Sequence, residues 1–272
     1  MLSNENYIIY RKMLENPNIS YSEVKKYVGQ YMPQKLYRYR TFDQYYKSNI
    51  MDGQVYLACP DTYNDTFDSA VKFDYKRCVE VLLGKNSANL FPEILSSDPK
   101  LRILFENHYR DTFDGFKKYV KMACFSEKKD SILMWSHYAE NHSGFCIEYD
   151  TQKNSLFNEL ALPVIYMEER YDATECLLTR SKNIAFNPII YKDISWSYEN
   201  EWRLWGSKDY FENKPNYLEM KNAISAIYIG ACIKDKDKNK IKELKQWACH
   251  NHVKIYKMVL DEATYRLIPK DY

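Results

Sequence analysis

The sequence is poor in glycine, which makes up 7 of its 272 residues, less than half of the roughly 7% found in average proteins. No two glycines have the spacing of a G-x-G-x-x-G turn, and no G-K-[ST] occurs. Rossmann-type dinucleotide folds and P-loop sites depend on those turns, because glycine lets the backbone approach a phosphate closely. Both classes are therefore excluded.

Metal-binding and redox motifs are also missing. The five histidines form no H-E-x-x-H, and the seven cysteines form no C-x-x-C, so the motif-bearing zinc and thioredoxin-like classes are excluded. The cysteines are odd in number and stand singly inside apolar runs, as in Ala123-Cys124-Phe125. They are expected to be reduced core residues and not a disulfide framework.

Long hydrophobic runs are absent, since no stretch approaches the ~18 consecutive apolar residues of a membrane span. The N-terminus lacks the basic start and apolar core of a signal peptide. We therefore expect a cytoplasmic protein without membrane association. The net charge of +2 gives no whole-molecule field that would attract nucleic acid.

What the chain does contain is 26 tyrosines and a succession of short strand and helix patterns. These predict an α+β fold: one compact domain with a mixed or split, largely antiparallel β-sheet core, a helical insertion and a small N-terminal helical cap. The cap is placed at 1–33, the α+β body at 34–272 and the insertion at about 69–121. Helices are predicted at about 5–16, 21–31, 42–52, 132–141, 173–184 and 235–250; strands are predicted at 35–40, 54–59, 121–126, 144–149, 161–167, 217–220, 224–229 and 253–260, with one more that ends at Trp205.

The segment from Tyr198 to Trp205, Y-E-N-E-W-R-L-W, brings two glutamates, an arginine and three aromatic residues together within eight positions. On a strand, the period of two places Glu199, Glu201 and Arg203 on one face. One interpretation is a solvated Glu201–Arg203 ion pair at a strand edge. The other is a pair of carboxylates for glycosyl transfer, where negative charge stabilises a sugar that develops oxocarbenium character.

A second cluster, M-W-S-H-Y at 134–138, is predicted to lie on a short helix. His137 is either a hydrogen-bonded packing residue or a catalytic group, and Trp135 is either core or part of a ligand site. A third cluster combines Tyr37-Arg38-Tyr39-Arg40 with the acidic turn of residues 64–68. An arginine there either caps the turn or clamps a phosphate, because its planar fork donates two hydrogen bonds.

Taken in order, Y-R at 39–40, N-D-x-F-D at 64–68, C-F-S at 124–126, M-W-S-H-Y, G-F-C at 144–146 and Y-E-x-E-W-R at 198–203 resemble a widespread bacterial domain family of unassigned function. Thr66 stands where proline is usual in that family's turn. The order of an arginine-bearing strand, Gly53, a second strand and a later E-x-E is also similar to ADP-ribosyltransferases, particularly bacterial toxins.

The second resemblance implies an enzyme that transfers ADP-ribose from NAD to a nucleic-acid or protein acceptor, as a toxin or phage-defence effector with an antitoxin or regulatory partner. NAD would be a substrate, and no metal is expected. Glu201 would stabilise the cationic sugar, Glu199 would orient or deprotonate the acceptor, and Arg40 would hold a phosphate or ribose. The residues expected at the site are Glu201, Glu199 and His137 as catalytic groups, and Arg38, Arg40, Tyr56, Tyr63, Asn64, Asp65, Trp135 and Arg203 as NAD-binding groups.

Two other functions fit the same residues. A non-catalytic sensor module would use the Arg-, Tyr- and Trp-rich surface to bind a nucleotide or a protein, since these are favoured anchors of binding surfaces. A metal-dependent nuclease would gather acids around magnesium. Its ligands would be Asp65, Asp68, Glu199 and Glu201.

Overall fold

An eight-stranded sheet forms the centre of the computed structural model, which describes residues 3–74, 77–78, 81, 100, 103, 107, 111, 114–179 and 187–272. Its spatial order is β14-β13-β12-β5-β1-β4-β10-β6. These strands are β1 Lys35–Arg40, β4 Val120–Ser126, β5 Phe145–Asp150, β6 Ala161–Pro163, β10 Glu201–Ser207, β12 Ile224–Ile229, β13 Lys254–Leu260 and β14 Leu267–Asp271. Three two-stranded ladders accompany them: β2 Gln54–Tyr56 with β11 Tyr217–Glu219, β3 Val71–Lys72 with β8 Tyr171–Asp172, and β7 Ile165–Met167 with β9 Tyr191–Asp193.

Neighbouring strands of the large sheet are antiparallel except β12 and β13. The parallel pair requires a crossover, and a long helix between the two strands supplies it. The predicted α+β class with a mixed, largely antiparallel sheet is confirmed.

The sheet is nearly divided between β1 and β4. On one side, β1 pairs with β5 along its whole length, from Lys35 with Asp150 to Arg40 with Phe145. On the other side, the described pairing of β1 with β4 consists of Tyr37 with Ser126 alone. An opening in the middle of the sheet follows from this short pairing, and it is where the candidate site lies.

Seven helices are described, and most begin or end where the sequence signals predict. Ser20 caps the second helix in a capping box, because its hydroxyl accepts from Glu23 N while the Glu23 carboxylate accepts from Ser20 N. The helices are α1 Asn4–Glu15, α2 Tyr21–Gly29, α3 Tyr46–Ile50, α4 Ile132–Tyr138, α5 Leu156–Leu160, α6 Thr174–Thr179 and α7 Lys238–His250.

The predicted N-terminal cap packs directly on the body. Tyr10 of α1 and Val28 of α2 are fully buried in one cluster with Met122 of β4 and Trp205 of β10. The Tyr10 hydroxyl donates to Pro163 O at 3.0 Å. The cap and the sheet therefore share a hydrophobic core.

The two faces of the sheet have different cores. One face carries a large apolar cluster that contains Leu36, Phe125 and Leu204. The other face carries two smaller clusters, one around Met122 and one around Tyr39. Glu201 and Arg203 of β10 lie on this second face with Trp205, whereas Arg38 and Arg40 of β1 share the first face with Leu36, so the candidate site draws on both sides of the sheet.

Several elements of the structure differ from the prediction. The single strand predicted at 161–167 is wrong: Pro163 has no N–H for a ladder, and at Val164 the chain passes from β6, beside β10, to β7, beside β9. The predicted helix 132–141 ends at Tyr138 because residues 140–142 have positive φ. Strand β14 was not predicted; it contains Pro269, which an edge strand tolerates.

The helical insertion predicted at about 69–121 lies largely outside the described residues, as does the end of the helix predicted at 173–184. Within that insertion, Val71–Lys72 is a short strand and 114–119 is helical. None of the helices in the described ranges is long and apolar enough to cross a bilayer.

Candidate functional site

A cavity of about 230 Å³ opens where the pairing of β1 with β4 ends. Arg38 and Arg40 of β1 line one side, and Glu199 and Glu201 line another. Aromatic rings complete much of the remaining wall, among them Tyr56, Tyr63, Phe125 and Tyr138. Residues that are far apart in the sequence thus meet in one concave space, the usual setting of a ligand site.

The arginine side of the cavity has unused hydrogen-bond donors. Arg38 Nη2 donates to Tyr56 O at 3.2 Å, but its buried Nη1 has no described partner. Arg40 Nη2 lies 3.9 Å from Asp43 Oδ2, and its buried Nε has no described partner. A buried donor without an acceptor costs about 1–3 kcal/mol. An anionic or carbonyl-bearing ligand in the cavity would supply the acceptors.

Burial, and after it the neighbouring charge of Arg40, lower the pKa of Arg38. The guanidinium of Arg38 also lies 5.8 Å from the centre of the Phe125 ring. Two adjacent cations that face a cavity repel each other, and a bound anion relieves that repulsion. This side of the cavity is therefore suited to a phosphate group.

The opposite side rests on Arg203, which is fully buried. Its Nε donates to Glu201 Oε1 at 2.7 Å, and its two terminal nitrogens donate to Asp68 at 2.9 and 2.6 Å. It also donates to Ile189 O at 2.5 Å and to Glu201 Oε2 at 3.2 Å. All five N–H groups of the guanidinium are engaged. Arg203 therefore holds the carboxylates in place and has no donor left for a ligand.

Lys192 of β9 joins the two glutamates. Its Nζ donates to Glu199 Oε2 at 2.7 Å and to Glu201 Oε2 at 3.2 Å, and it lies 3.9 Å from Asp68 Oδ2. The ring of Trp196 covers the ammonium at 4.8 Å. The side chains of these four charged residues and of Arg203 are at most 5% exposed, so water screens the charges little.

Three carboxylates and two cations make up this buried ion cluster, defined as Asp68, Lys192, Glu199, Glu201 and Arg203. With every group ionised, the cluster carries one negative charge in excess. Protonation of one carboxylate makes it neutral. The carboxylate that takes the proton is the one with the weakest cationic support.

That carboxylate is Glu199. Burial, and then the charge of Glu201, raise its pKa to about 7, against the opposing effects of Lys192 and Tyr138. Glu201 is the reverse case: burial works against its ionised form, but Arg203 and Lys192 together hold its pKa well below the ordinary value. Burial would lower the pKa of Lys192, yet the surrounding carboxylates raise it. Two neighbouring glutamates thus have pKa values that are moved apart, as acid–base pairs in enzymes do.

A thiol also lines the cavity. Cys124 Sγ donates to Tyr63 Oη at 3.3 Å, and that hydroxyl donates to Met122 O at 3.1 Å. Burial, followed by the charge of Glu201, raises the pKa of Cys124 well above its usual value. The thiol is neutral at pH 7 and therefore a poor nucleophile.

Of the eleven residues predicted for the site, seven line the cavity: Glu199, Glu201, Arg38, Arg40, Tyr56, Tyr63 and Asn64. Four do not. His137 is exposed and its ring lies beside Tyr198, at 6.2 Å between centroids. Trp135 is fully buried and donates to Lys129 O at 2.8 Å. Asp65 caps its own turn through a bond from Phe67 N, and Arg203 lies behind the glutamates.

Two interpretations of the 198–205 segment need correction. Glu201 and Arg203 do form an ion pair, but it is buried inside the sheet because β10 is flanked by β4 and β6. Glu199 is not on the strand: it ends a 3₁₀ helix, Ile194–Glu199, and Asn200 in the left-handed conformation turns the chain into β10. Although the two carboxylates come from different elements, Lys192 donates a hydrogen bond to each and so holds them close together.

Sequence reasoning missed Lys192 and Tyr138. Lys192 follows the apolar run Pro188-Ile189-Ile190-Tyr191, and a lysine after such a run signals a charge carried into the core. Tyr138 is the last residue of the M-W-S-H-Y motif, in which His137 was the predicted catalytic group. Its hydroxyl donates to Glu199 Oε1 at 2.7 Å.

The acids proposed for a magnesium nuclease meet only in part. Asp68, Glu199 and Glu201 converge, but the oxygens that face one another bond to Lys192 and Arg203, while Asp65 lies apart. Over the ranges that the structure describes, no group of three or more His, Cys, Asp or Glu side chains is arranged to hold a metal ion.

No curated protein and no solved structure matches the chain, so the likeness to ADP-ribosyltransferases has no counterpart in these comparisons. One sequence family does match, over residues 134–204, which include three of the motifs noted above. Tyr138, Lys192, Glu199, Glu201 and Arg203 all lie in this segment. Over that quarter of its length, the chain is similar to the family described as Protein of unknown function (DUF2971).

Proposed function

We propose that the protein is an NAD-consuming glycosyl-transfer enzyme that moves ADP-ribose to a nucleic-acid or protein acceptor. One observation carries the proposal: a single cavity has unpartnered arginine donors on one side and two glutamates with opposite pKa shifts on the other. NAD has the matching groups, which are phosphates and a cationic nicotinamide riboside.

The cavity is smaller than the roughly 300–1,000 Å³ of drug-sized ligand sites. It therefore receives one end of the dinucleotide, and the remainder lies outside. In this proposal the nicotinamide riboside enters toward Glu201, and a phosphate takes the free donors of Arg38 and Arg40. The tyrosine and phenylalanine rings between them supply an apolar wall for the nicotinamide.

The reaction divides between the two glutamates. The bond from ribose C1′ to the nicotinamide nitrogen breaks, and nicotinamide leaves with the electron pair. Glu201, ionised at every working pH, stabilises the cationic sugar, because the buried ion cluster carries excess negative charge in a water-poor site. Glu199, with its pKa near neutrality, takes the proton from the acceptor hydroxyl or amine as the new bond to C1′ forms.

The test is nicotinamide release from NAD by the wild-type protein and by Glu201→Gln, with DNA, RNA or cell protein as the acceptor. We expect the wild type to release nicotinamide and Glu201→Gln to be slower by about 10²–10³-fold, typical for loss of one electrostatic group. Glu148→Gln is the matched control: that glutamate is part-buried in β5, accepts from Ser225 and Tyr228, and does not line the cavity.

Calorimetric binding of NAD separates the outcomes. If both proteins are folded and bind NAD but neither releases nicotinamide with any acceptor, the protein is a binding module. Release that is equally fast in Glu201→Gln contradicts the role of Glu201. The setting as a toxin or phage-defence effector, with an antitoxin or other regulatory partner, remains a prediction that follows from the proposed activity.

A further inference from the structure

The hydroxyl of Tyr138 lies between Glu199 and Asn64. It donates to Glu199 Oε1 at 2.7 Å and accepts from Asn64 Nδ2 at 3.3 Å. Tyr138 is the last residue of α4 and lines the cavity, whereas Asn64 is exposed in the turn that follows β2. A chain of three side chains therefore links the buried carboxylate to the cavity rim.

The order of donors in this chain is fixed by chemistry. The amide nitrogen of Asn64 has hydrogens but no lone pair to offer, so the hydroxyl oxygen must accept from it. The hydroxyl hydrogen of Tyr138 is then directed at Glu199. The other carboxylate oxygen, Oε2, accepts from Lys192 at 2.7 Å. Each oxygen of Glu199 thus has one donor in a set direction.

We propose that Tyr138 is a positioning residue that favours the ionised form of Glu199 and aims it into the cavity, and that Asn64 sets the direction of its hydroxyl. The argument for a catalytic Glu199 rests on the proposed function, but the arrangement of the three side chains does not. A hydrogen bond to the charged form of a carboxyl group favours that form. Tyr138 therefore opposes the burial that would keep Glu199 protonated.

Other groups also face Glu199, and each keeps its effect when the Tyr138 hydroxyl is removed. Burial and the charge of Glu201 raise the pKa of Glu199, whereas Lys192 and then Tyr138 lower it. The titratable and charged groups around it are Lys192 from β9, Glu201 from β10, Tyr166 from β7, Tyr138 from α4 and Tyr198 from its own 3₁₀ helix.

The experiment follows the carboxyl carbon of Glu199 by ¹³C NMR as the pH is changed, in the full chain, with the resonance assigned from its loss in Glu199→Gln. In Tyr138→Phe we expect the titration midpoint to rise by about one pH unit, because a charge-assisted donor is lost. Asn64→Asp should raise it too, since the new carboxylate accepts the hydroxyl proton in place of Glu199. Asn64 is exposed, so that variant leaves the core intact.

Tyr198→Phe is the control. Its ring is half-buried beside Glu199, but in the described part of the chain its hydroxyl bonds neither oxygen of that carboxylate. Its midpoint should stay within about 0.3 pH unit of the wild type. A merely structural role of Tyr138 would lower stability in Tyr138→Phe and leave the midpoint unchanged, and that result overturns the proposal.

Turnover gives a second readout. If the wild type releases nicotinamide, the rising limb of its rate against pH should move upward in Tyr138→Phe together with the NMR midpoint, and the KM for NAD should stay constant. If the wild type releases none while the midpoint still rises, the proposed function fails and the positioning role stands. If the midpoints of Tyr138→Phe and Asn64→Asp equal that of the wild type, as the midpoint of Tyr198→Phe should, the positioning role is refuted whatever the turnover.

Discussion

The titration of Glu199 should make the wild-type protein less stable as the pH rises from about 5 to 8. The variant Glu199→Gln should not show this decrease. Burial and Glu201 raise the pKa of Glu199 to about 7, against an ordinary value of 4.5. Each pKa unit corresponds to ~1.4 kcal/mol. The side chain is 5% exposed, so the difference translates into about 3 kcal/mol of unfolding free energy, spread over this range of pH.

The sign follows from proton uptake. Between the two pKa values, the folded protein holds a proton on Glu199 that the unfolded chain has lost, so raising the pH favours unfolding. Glu201 acts in the opposite sense, because its folded pKa is lowered. Its contribution is complete above the ordinary value and is lost only at more acid pH. The two glutamates therefore act in separate windows.

Urea denaturation at a series of pH values, followed by the fluorescence of the five tryptophans, measures the effect. The quantity to plot is the unfolding free energy of the wild type minus that of Glu199→Gln. Burial lowers the pKa of His142, which adds stability as the pH rises through the same window. Both proteins share that contribution, so it cancels in the difference.

The expected difference falls by about 3 kcal/mol between pH 5 and pH 8. A difference that stays constant within about 0.5 kcal/mol would mean that Glu199 titrates near its ordinary value. The excess negative charge of the buried ion cluster would then not raise the pKa of Glu199. The assignment of Glu199 as the proton acceptor in catalysis would fall with it.

Two further predictions concern stability alone. Arg203→Met should lower the unfolding free energy by about 3–5 kcal/mol, since both of its carboxylate partners stay buried without it; a loss below 1 kcal/mol in urea denaturation would contradict the buried network. Gly230→Ala should destabilise strongly, because its new Cβ would stand 2.1 Å from His142 O, whereas Gly29→Ala, with open space around the helix end, should be neutral or stabilise by up to about 1 kcal/mol. Equal melting temperatures for these two glycine variants would count against the close approach at Gly230.

Local elements of the fold could be predicted because their signals are local. The alternation of residues 35–40 predicted β1 with the bounds observed, and the helix predicted at about 21–31 begins at Tyr21 as α2 does. The predicted helix at 42–52 is shorter in the structure, since the Asp43 carboxylate accepts from Tyr45 N and holds the first turn out of the helix. Side chains that bond their own backbone decide such boundaries.

The candidate site was predictable in its residue types but not in its assembly. The E-x-E of Glu199 and Glu201 and the arginines of β1 predicted a site with carboxylates and guanidinium groups, and both kinds of group line the cavity. Lys192 could not be foreseen as their link, because its role depends on β9 lying beside β7, a pairing with no counterpart in local sequence. The predicted role of His137 drew on proximity in sequence, whereas the cavity is reached by its neighbour Tyr138.

The near division of the sheet also affects how this protein could be altered. Strands β1 and β4 flank the cavity, and the described pairing that joins them is that of Tyr37 with Ser126, while Ala58 forms an isolated bridge with Met122. Substitutions at Arg38 or Arg40 should therefore change what the cavity binds without closing it. The ligand preference of this protein could therefore be redesigned by substituting side chains while the backbone is kept unchanged.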